Sequence, residues 1–168
     1  TFPVSGITSF QELNQKLGMH AVTTVLKNEP CTSIPQYFVN RGVDADQPSI
    51  YIERLRMIDH EPVVIDRDFL LTPPIDEIPQ KVAENSLYDY IEGKLELDIS
   101  YASKEITVEK ADDEVAAQLK LTGDQLVVVV RSLSFLNDTT LFQLTESYHR
   151  PDKFKFSDFA RRQKIKLK

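Results

Sequence analysis

The sequence predicts an α+β fold with a central antiparallel sheet flanked by helices. Two stretches, residues 50–70 and 125–149, each contain a pair of alternating apolar and polar segments joined by a short turn. This pattern is typical of antiparallel hairpins. A short helix-like segment and a bend with a glycine precede each pair. We therefore expect two similar units related by a pseudo-twofold axis, with the helices on one side of the sheet.

The length and composition of the chain indicate a single soluble domain. A chain of 168 residues can bury a substantial core, and its 41% apolar and 27% charged residues are ordinary for a globular protein. No Gly/Ser linker or charge block divides residues 1–168. The longest apolar run, Leu126 to Val130, is too short to cross a membrane, and the start lacks the features of a signal peptide. The single cysteine, Cys31, excludes an internal disulfide and fits the cytoplasm.

Capping residues, glycines and β-branched runs divide the first half of the chain into four elements. Thr8 and Ser9 can cap the first helix, and Gly18 stands just beyond its end. In order, these elements are a helix over "FQELNQKL", a strand over "HAVTTVLKN", a short helix over "IPQYFVNRGV" and a hairpin with strands at about 50–58 and 62–70.

The second half begins with the proline-rich connector "LLTPPIDEIPQ". Residues 81–93 predict a helical region that is interrupted near Asn85 and Ser86 and ends at Gly93. The remaining elements are a strand over "ISYASKEITVEKA", a helix over "ADDEVAAQLKL" capped by Asp112 or Asp113, and a hairpin of "QLVVVVRSLSFL" and "TLFQLTESYH".

The two hairpins resemble each other in their charged residues. In the first strand of each hairpin, aliphatic residues are followed by an arginine. This is Arg54 in the first hairpin and Arg131 in the second, about 77 residues apart. Each then returns to an acidic residue, Asp66 or Asp68 in the first and Glu146 in the second. This similarity supports the expected internal repeat, and it makes Arg131 a second candidate for an arginine in a pocket.

Two arginines on one strand indicate an anion site. Arg54 and Arg56 are two residues apart, so they point to the same face as Ile50 and Ile52. We interpret this face as the floor of a pocket, because the planar guanidinium can pair with two phosphate oxygens. On this view the neighbouring arginines mainly repel each other and do not stabilise the fold.

Two helix starts and several polar side chains could complete such a site. The free N–H groups at Ser86 and at Thr8–Ser9 could bind phosphate. The side chains that could serve sugar hydroxyls are Asp66, Tyr88, Glu146 and Tyr148. A purely structural interpretation stays open for each: a serine at a helix start is usually only a cap, and strand arginines usually pair with carboxylates such as Glu53 or Asp66.

The motifs of common enzymes are absent from the sequence. It contains no P-loop, no G-x-G-x-x-G and no G-x-S-x-G elbow. The three histidines, at positions 20, 60 and 149, do not stand at metal-ligand spacing. We therefore expect no catalytic residue, no cofactor and no metal.

Four motifs in order resemble a known ligand-binding domain. They are "RLRMIDHEPVVIDRDFL", "NSLYDYIE", "AAQLKLTGDQLVVVVRSLSFLND" and "ESYHRPDKFKF". Their order is similar to that of the UTRA domain, the effector-binding half of bacterial GntR-type transcription regulators of the HutC group. The ending "SYHRPDKFKFSDFARR" is similar to trehalose operon repressors of Gram-positive bacteria.

The resemblance implies a chorismate-lyase-like fold with an effector pocket between sheet and helices. In sugar-phosphate-responsive members, the arginine pair and the serine of S-L-Y hold the phosphate. Here these are Arg54, Arg56 and Ser86, with help from Thr8 and Ser9. The resemblance also assigns Tyr88, Asp66 and Glu146 to the effector, for which trehalose 6-phosphate is the leading candidate.

The strand "QLVVVVRSL" and its neighbours hold more apolar surface than a half-covered sheet needs, so we expect a homodimer. The resemblance implies a cytoplasmic repressor that contacts operator DNA through an N-terminal winged-helix domain. The UTRA pattern starts by residue 8, which leaves no room for that domain, and the net charge of −6 does not suit a DNA-binding module. We therefore expect an isolated effector-sensing domain that is not an enzyme. The alternatives are a chorismate-lyase-like enzyme and a dimerisation module without a ligand.

Overall fold

The computed structural model describes Gly18 and residues 20–163. The predicted first helix and its candidate phosphate contacts, Thr8 and Ser9, lie outside the described residues. Six strands form one antiparallel sheet in the order β1-β2-β3-β6-β5-β4. The strands are β1 (Ala21–Cys31), β2 (Ser49–Ile58), β3 (Glu61–Leu71), β4 (Ile99–Lys110), β5 (Leu126–Leu136) and β6 (Leu141–His149).

Both predicted hairpins are confirmed. β2 pairs with β3, and β5 pairs with β6. Asp59 and His60 form the turn of the first hairpin with positive φ angles of 51° and 67°, as a two-residue turn between twisted strands requires. The polar tip Asn137–Thr139 joins the second hairpin, where the Asp138 carboxylate accepts from the Thr140 N–H at 3.1 Å.

The strand order reads the same when β1, β2 and β3 exchange places with β4, β5 and β6. An internal repeat requires this symmetry, but the strand order alone does not establish one, and the repeat stays a prediction. The proposed equivalence of Arg54 and Arg131 is not supported. Arg54 shares a face with Asp66, its partner in register on β3, whereas Arg131 shares a face with Glu146 and Arg67. Since Asp66 and Arg67 are adjacent on one strand, these are opposite faces.

The helices are short. They are α1 (Gln36–Val39), α2 (Gln80–Ala83), α3 (Leu87–Asp89), which continues as a π-helical turn over Tyr90–Lys94, and α4 (Asp113–Gln118). The predicted interruption near Asn85 and Ser86 separates α2 from α3, and Asp112 is the N-cap of α4. No helix among the described residues is long and apolar enough to cross a membrane.

The helices cover both faces of the sheet, so the expectation that they lie on one side is wrong. We call the face of Arg54 and Arg56 the arginine face, and the face of Glu53 and Glu146 the glutamate face. α2 and α3 pack on the arginine face against Ile50, Ile52 and Leu70. On the glutamate face, α1 packs through Phe38 and α4 through Val115 and Leu119.

This double coverage explains the run of four valines in β5. Val127 and Val129 are buried beneath α4, and Val128 and Val130 are buried on the arginine face. A strand that is buried on both faces has no need for alternating polarity. The apolar run therefore belongs to the interior of one subunit.

Candidate functional site

The candidate site is centred on the arginine pair of β2. Arg54 is 5% exposed and Arg56 is 3% exposed, so both guanidiniums are buried. The antiparallel register places Asp66 opposite Arg54 and Asp68 two residues further along the same face of β3. We call these four side chains the arginine–aspartate cluster.

Each arginine of the cluster is paired with a carboxylate. Arg54 donates through its NH2 group to Asp68 Oδ2 at 3.0 Å. Arg56 donates through Nε to Asp66 Oδ2 at 2.9 Å and through NH1 to Thr23 Oγ1 at 3.0 Å. The expectation that the two arginines merely repel each other is therefore wrong. Buried ion pairs are sensitive to the loss of one member, because the other charge is then left uncompensated.

The two aspartates are held in place from β6. The Ser147 hydroxyl donates to Asp66 Oδ1. Asp68 Oδ1 accepts from Gln143 Nε2 at 2.8 Å and from Thr145 Oγ1 at 2.9 Å. In both carboxylates, each oxygen thus accepts a hydrogen bond from a side chain of a neighbouring strand.

One donor of the cluster, on Arg54, has no partner among the described residues. Arg54 donates through NH1 to the carbonyl of Ala83 at 3.4 Å, at the end of α2. Its Nε is buried and has no hydrogen-bond partner within the part of the chain that the structure describes. A buried donor without an acceptor is costly and rare in folded proteins. It indicates a position for an acceptor beside Arg54.

Tyr88 reaches the cluster from the helical segment that packs on the arginine face, and Ser86 begins that segment. Ser86 caps α3, where its Oγ accepts from the Asp89 N–H at 3.3 Å. The Tyr88 hydroxyl donates to Gln143 Oε1 at 3.0 Å, and the same amide donates to Asp68. Burial and the nearby Asp68 raise the pKa of Tyr88. Its phenol therefore stays protonated and available as a donor.

Burial and mutual charge set the ionisation of the cluster. Burial and the neighbouring Arg54 lower the pKa of Arg56 to about 10, so it remains a cation at neutral pH. Burial alone would raise the pKa of Asp66, but Arg56 and Arg54 outweigh it, and the net direction is down. Nearby, burial lowers the pKa of His149 to about 4, so this imidazole is neutral at pH 7.

Three predicted site residues do not join the cluster. Arg131, Glu146 and Tyr148 lie on the glutamate face, with the sheet between them and Arg54. The pocket predicted for all ten residues therefore cannot include these three. Strand alternation is the physical reason, since neighbouring residues of β3 point to opposite sides.

These three residues belong to a network that crosses the glutamate face. Arg131 pairs through Nε with Glu146 at 2.9 Å and through both terminal nitrogens with Glu109. In strict register across all six strands, the charges alternate between positive and negative. The row is Lys27, Glu53, Arg67, Glu146, Arg131 and Glu105.

Several members of the cluster's hydrogen-bond network are not predicted by the sequence. Asp68 is predicted only as an alternative to Asp66, and Gln143, Thr145, Ser147 and Thr23 are not predicted at all. Period-two spacing from Asp66 could have identified Asp68, but the residues of β6 required knowledge of the β3–β6 pairing. Within residues 20–163, no three His, Cys, Asp or Glu side chains are arranged to hold a metal ion.

Comparison with known protein families supports an effector-binding role for this fold. The sequence model described as "UTRA domain" matches residues 16–155. The HTH-type transcriptional regulator TreR of Bacillus subtilis (strain 168) is 47% identical over 165 residues, which are 97% of this chain and 68% of TreR. The HTH-type transcriptional regulator GmuR of the same organism is 30% identical over 113 residues, which are 67% of this chain and 48% of GmuR.

Solved structures show the same architecture. The structure of the B. subtilis trehalose repressor (TreR) effector binding domain superposes with a TM-score of 0.71 and 43% sequence identity, over 85% of this chain and 99% of that one. The effector domain of PhnF from Mycobacterium smegmatis superposes with a TM-score of 0.79 over 94% of this chain and 97% of that one, at 19% identity. At this low identity, the second likeness shows the fold alone.

Proposed function

Because the chain belongs to the UTRA domain family, we propose that it is the effector-binding domain of a bacterial transcriptional repressor. A phosphorylated sugar binds in it and lowers the operator affinity of the full-length dimer. The relatives that match this chain are named as transcriptional regulators, which supports a sensor rather than an enzyme. Such a regulator acts in the cytoplasm, together with its operator.

The proposed effector is trehalose 6-phosphate. The relative with 47% identity and the superposed effector domain with 43% identity are both TreR, the trehalose repressor of B. subtilis. The phosphate is proposed because the site offers guanidinium groups. The sugar is proposed because of the relationship to TreR.

The observation that carries the proposal is a buried arginine pair in which the Nε of Arg54 has no acceptor among the described residues. Arg54 presents a buried Nε without an acceptor among the described residues, and Arg56 lies two residues away on the same face. Two guanidiniums on one buried face provide charge-assisted donors for a phosphate. The glutamate face carries two arginines as well, but Arg67 and Arg131 each contact two carboxylates there.

We assign the effector contacts accordingly. Arg54 and Arg56 hold the phosphate, and Ser86 contributes its hydroxyl from the start of α3. Tyr88 and Asp66 face the sugar. Thr8 and Ser9 remain proposed phosphate contacts that lie outside the described residues.

We propose that the chain forms a homodimer, since two-fold assemblies are the commonest and suit a palindromic operator. The valines of β5 cannot supply the interface because they are buried within the subunit. Three apolar residues on the arginine face, near the β4 edge, are exposed and can supply it: Ile106 (40%), Val108 (65%) and Leu126 (45%). Effector and DNA would then favour different arrangements of one dimer.

The test is a calorimetric titration of the purified chain with trehalose 6-phosphate, glucose 6-phosphate, glucosamine 6-phosphate and unphosphorylated trehalose. We expect the tightest binding for trehalose 6-phosphate and none for trehalose. Tighter binding of another sugar phosphate would correct the sugar while keeping the phosphate. A flat titration with the whole panel would favour a dimerisation module without a ligand. In a separate assay the chain is incubated with chorismate, and formation of 4-hydroxybenzoate would favour an enzyme.

A further inference from the structure

The arginine–aspartate cluster is electrically balanced before any ligand binds. Arg54 and Arg56 supply two positive charges, and Asp66 and Asp68 supply two negative charges, with partner distances of 3.0 and 2.9 Å. A phosphate monoester adds roughly −1.5 to −2 charges at pH 7. Such a ligand would leave the buried cluster with excess negative charge, which is unfavourable in a site removed from water.

The donors of Arg54 determine how a phosphate can bind. The Nε and NH2 groups of a guanidinium point to the same side and form a fork that matches two phosphate oxygens. In Arg54 the Nε prong has no acceptor among the described residues, and the NH2 prong is held by Asp68 Oδ2. The NH2 nitrogen carries two N–H groups and makes one hydrogen bond to Asp68, so a phosphate on both prongs either displaces Asp68 from NH2 or shares that nitrogen with it.

In either arrangement the Asp68 carboxylate stays beside the phosphate. Asp68 is 2% exposed, and its Oδ1 is already held by Gln143 and Thr145 on the adjacent strand. Its Oδ2 would then be a buried anionic oxygen beside the negative phosphate. A proton on Oδ2 removes one negative charge and lets this oxygen donate to the ligand.

From this geometry we infer that binding of the sugar phosphate is coupled to proton uptake by Asp68. The inference rests on the proposed function. Arg54 NH2 donates to a phosphate oxygen, and Asp68 Oδ2 beside it takes one proton from solvent. We assign the proton to Asp68 and not to Asp66 for two reasons. The side chain of Asp68 is less exposed than that of Asp66 (3% against 15%), and Asp66 keeps its hydrogen bonds to Arg56 and Ser147.

Several other ionisable groups lie on this face or reach it from the segment above. They are Arg54 and Arg56 on β2, Asp66 on β3, His149 on β6, Lys104 on β4, and Tyr88 and Glu92 in and after α3. Lys104 is in register with Ser132 and Thr145, three strands away from Asp68. Tyr88 keeps its proton in the bond to Gln143. Among the carboxylates, Asp68 is the one that shares the NH2 nitrogen of Arg54 with the proposed phosphate.

The coupling makes affinity depend on pH in a defined direction. If one proton is taken up per bound ligand, a higher pH opposes binding. Between pH 7 and 8.5, where the free phosphate is already a dianion, the Kd rises about tenfold per pH unit. A site that binds without proton uptake has a Kd that is constant over this range.

The decisive experiment is calorimetry of the wild-type chain with trehalose 6-phosphate at pH 7.5, in two buffers that differ widely in ionisation enthalpy. The expected difference in binding heat corresponds to uptake of about one proton per ligand. Equal heats in both buffers, with binding intact, would overturn the inference and leave the proposed function standing. Absence of binding in both buffers would overturn the proposed function and this inference with it.

A pair of isosteric variants assigns the proton to one residue. Asp68→Asn mimics the protonated acid, so we expect the buffer dependence to vanish and the Kd to be constant from pH 7 to 8.5. Glu53→Gln makes the same change at a buried carboxylate of the glutamate face and should retain the proton uptake. Proton uptake that persists in folded Asp68→Asn would overturn the assignment to Asp68. If circular dichroism shows that Asp68→Asn does not fold, the difference in binding heat of the wild-type chain between the two buffers tests the proton uptake.

Discussion

At the scale of single residues, Arg54 both stabilises the fold and is proposed to bind the effector. Its guanidinium is the charge partner of Asp68, which has almost no access to water. We expect Arg54→Leu to lower the free energy of unfolding by about 3–5 kcal/mol, because a buried carboxylate is left uncompensated. Urea unfolding at pH 7 measures this loss.

A double variant separates the two roles of Arg54. In Arg54→Leu/Asp68→Asn the buried charge is gone, while the carbonyl of the introduced amide can still accept from Gln143 and Thr145. We expect most of the lost stability to return without any return of sugar-phosphate binding. Full binding by the double variant would contradict the phosphate assignment.

His149 gives the fold a pH dependence of its own. Burial lowers its pKa from 6.5 to about 4, so below pH 6.5 the unfolded chain binds a proton that the folded chain does not. The stability that this histidine contributes is fully present above pH 6.5 and is lost as the pH falls towards 4. Between pH 7 and 4.5 we expect a loss of about 2–3 kcal/mol, at 1.36 kcal/mol per pKa unit.

The comparison of His149→Gln with wild type measures this contribution. Urea unfolding at pH 7 and 4.5 should show a clearly smaller loss in the variant. His60 lies in the exposed turn of the first hairpin, so His60→Gln serves as the matched control and should lose as much stability as wild type. An equal loss in His149→Gln would show that other groups cause the acid sensitivity.

At the scale of elements, two helix caps on opposite faces distinguish capping from ligand binding. Ser86 caps α3 on the arginine face, and Asp112 caps α4 on the glutamate face. Each cap is worth about 1 kcal/mol. We expect Ser86→Asp to retain an acceptor for the cap but to abolish sugar-phosphate binding, since its carboxylate would face the phosphate.

Thermal unfolding and calorimetry together test this prediction. Asp112→Ala should lower the melting temperature slightly and leave the Kd unchanged. Ser86→Ala should lower both stability and affinity. A Ser86→Asp protein that binds its sugar phosphate normally would remove Ser86 from the site.

The charged row of the glutamate face contains an ion pair between Arg131 on β5 and Glu146 on β6, and a further prediction concerns this pair. Arg131 is held by Glu109 and Glu146, and its hydrogen bond with Glu109 and the one with Glu146 raise its pKa. We expect Arg131→Gln to cost about 3–5 kcal/mol of stability, because the buried Glu146 would lose its ion-pair partner. The Kd for the sugar phosphate should stay unchanged, since the sheet separates Arg131 from Arg54. A large loss of affinity in folded Arg131→Gln would contradict this separation.

At the scale of the whole molecule, the exposed apolar residues near the β4 edge predict a dimer. Val108 is the most exposed of the three, and a charge there opposes burial against a second copy. Light scattering should give twice the monomer mass for wild type and the monomer mass for Val108→Glu. Val22 is similarly exposed on β1, so Val22→Glu should remain a dimer. A wild-type monomer at tens of micromolar would contradict the proposed assembly.

Local patterns in the sequence were enough to predict both hairpins, the strand before each, and the break between α2 and α3. These features depend on turn residues, caps and side-chain alternation, which act over a few positions. The same period of two placed Arg54 and Arg56 on one face. The family resemblance, carried by four short motifs, is confirmed by the match to the UTRA domain over residues 16–155.

The tertiary structure alone decided what lies beside the two arginines. β3 and β6 are about 80 residues apart in sequence, yet their pairing brings Ser147 to Asp66 and Thr145 to Asp68. It also placed Arg131, Glu146 and Tyr148 on the opposite face, because a shift of one residue in register inverts every side chain of a strand. Register between distant strands is a long-range property of the packed sheet. For that reason the sequence could place two arginines on one face, but could not identify their carboxylate partners or exclude the three residues behind the sheet.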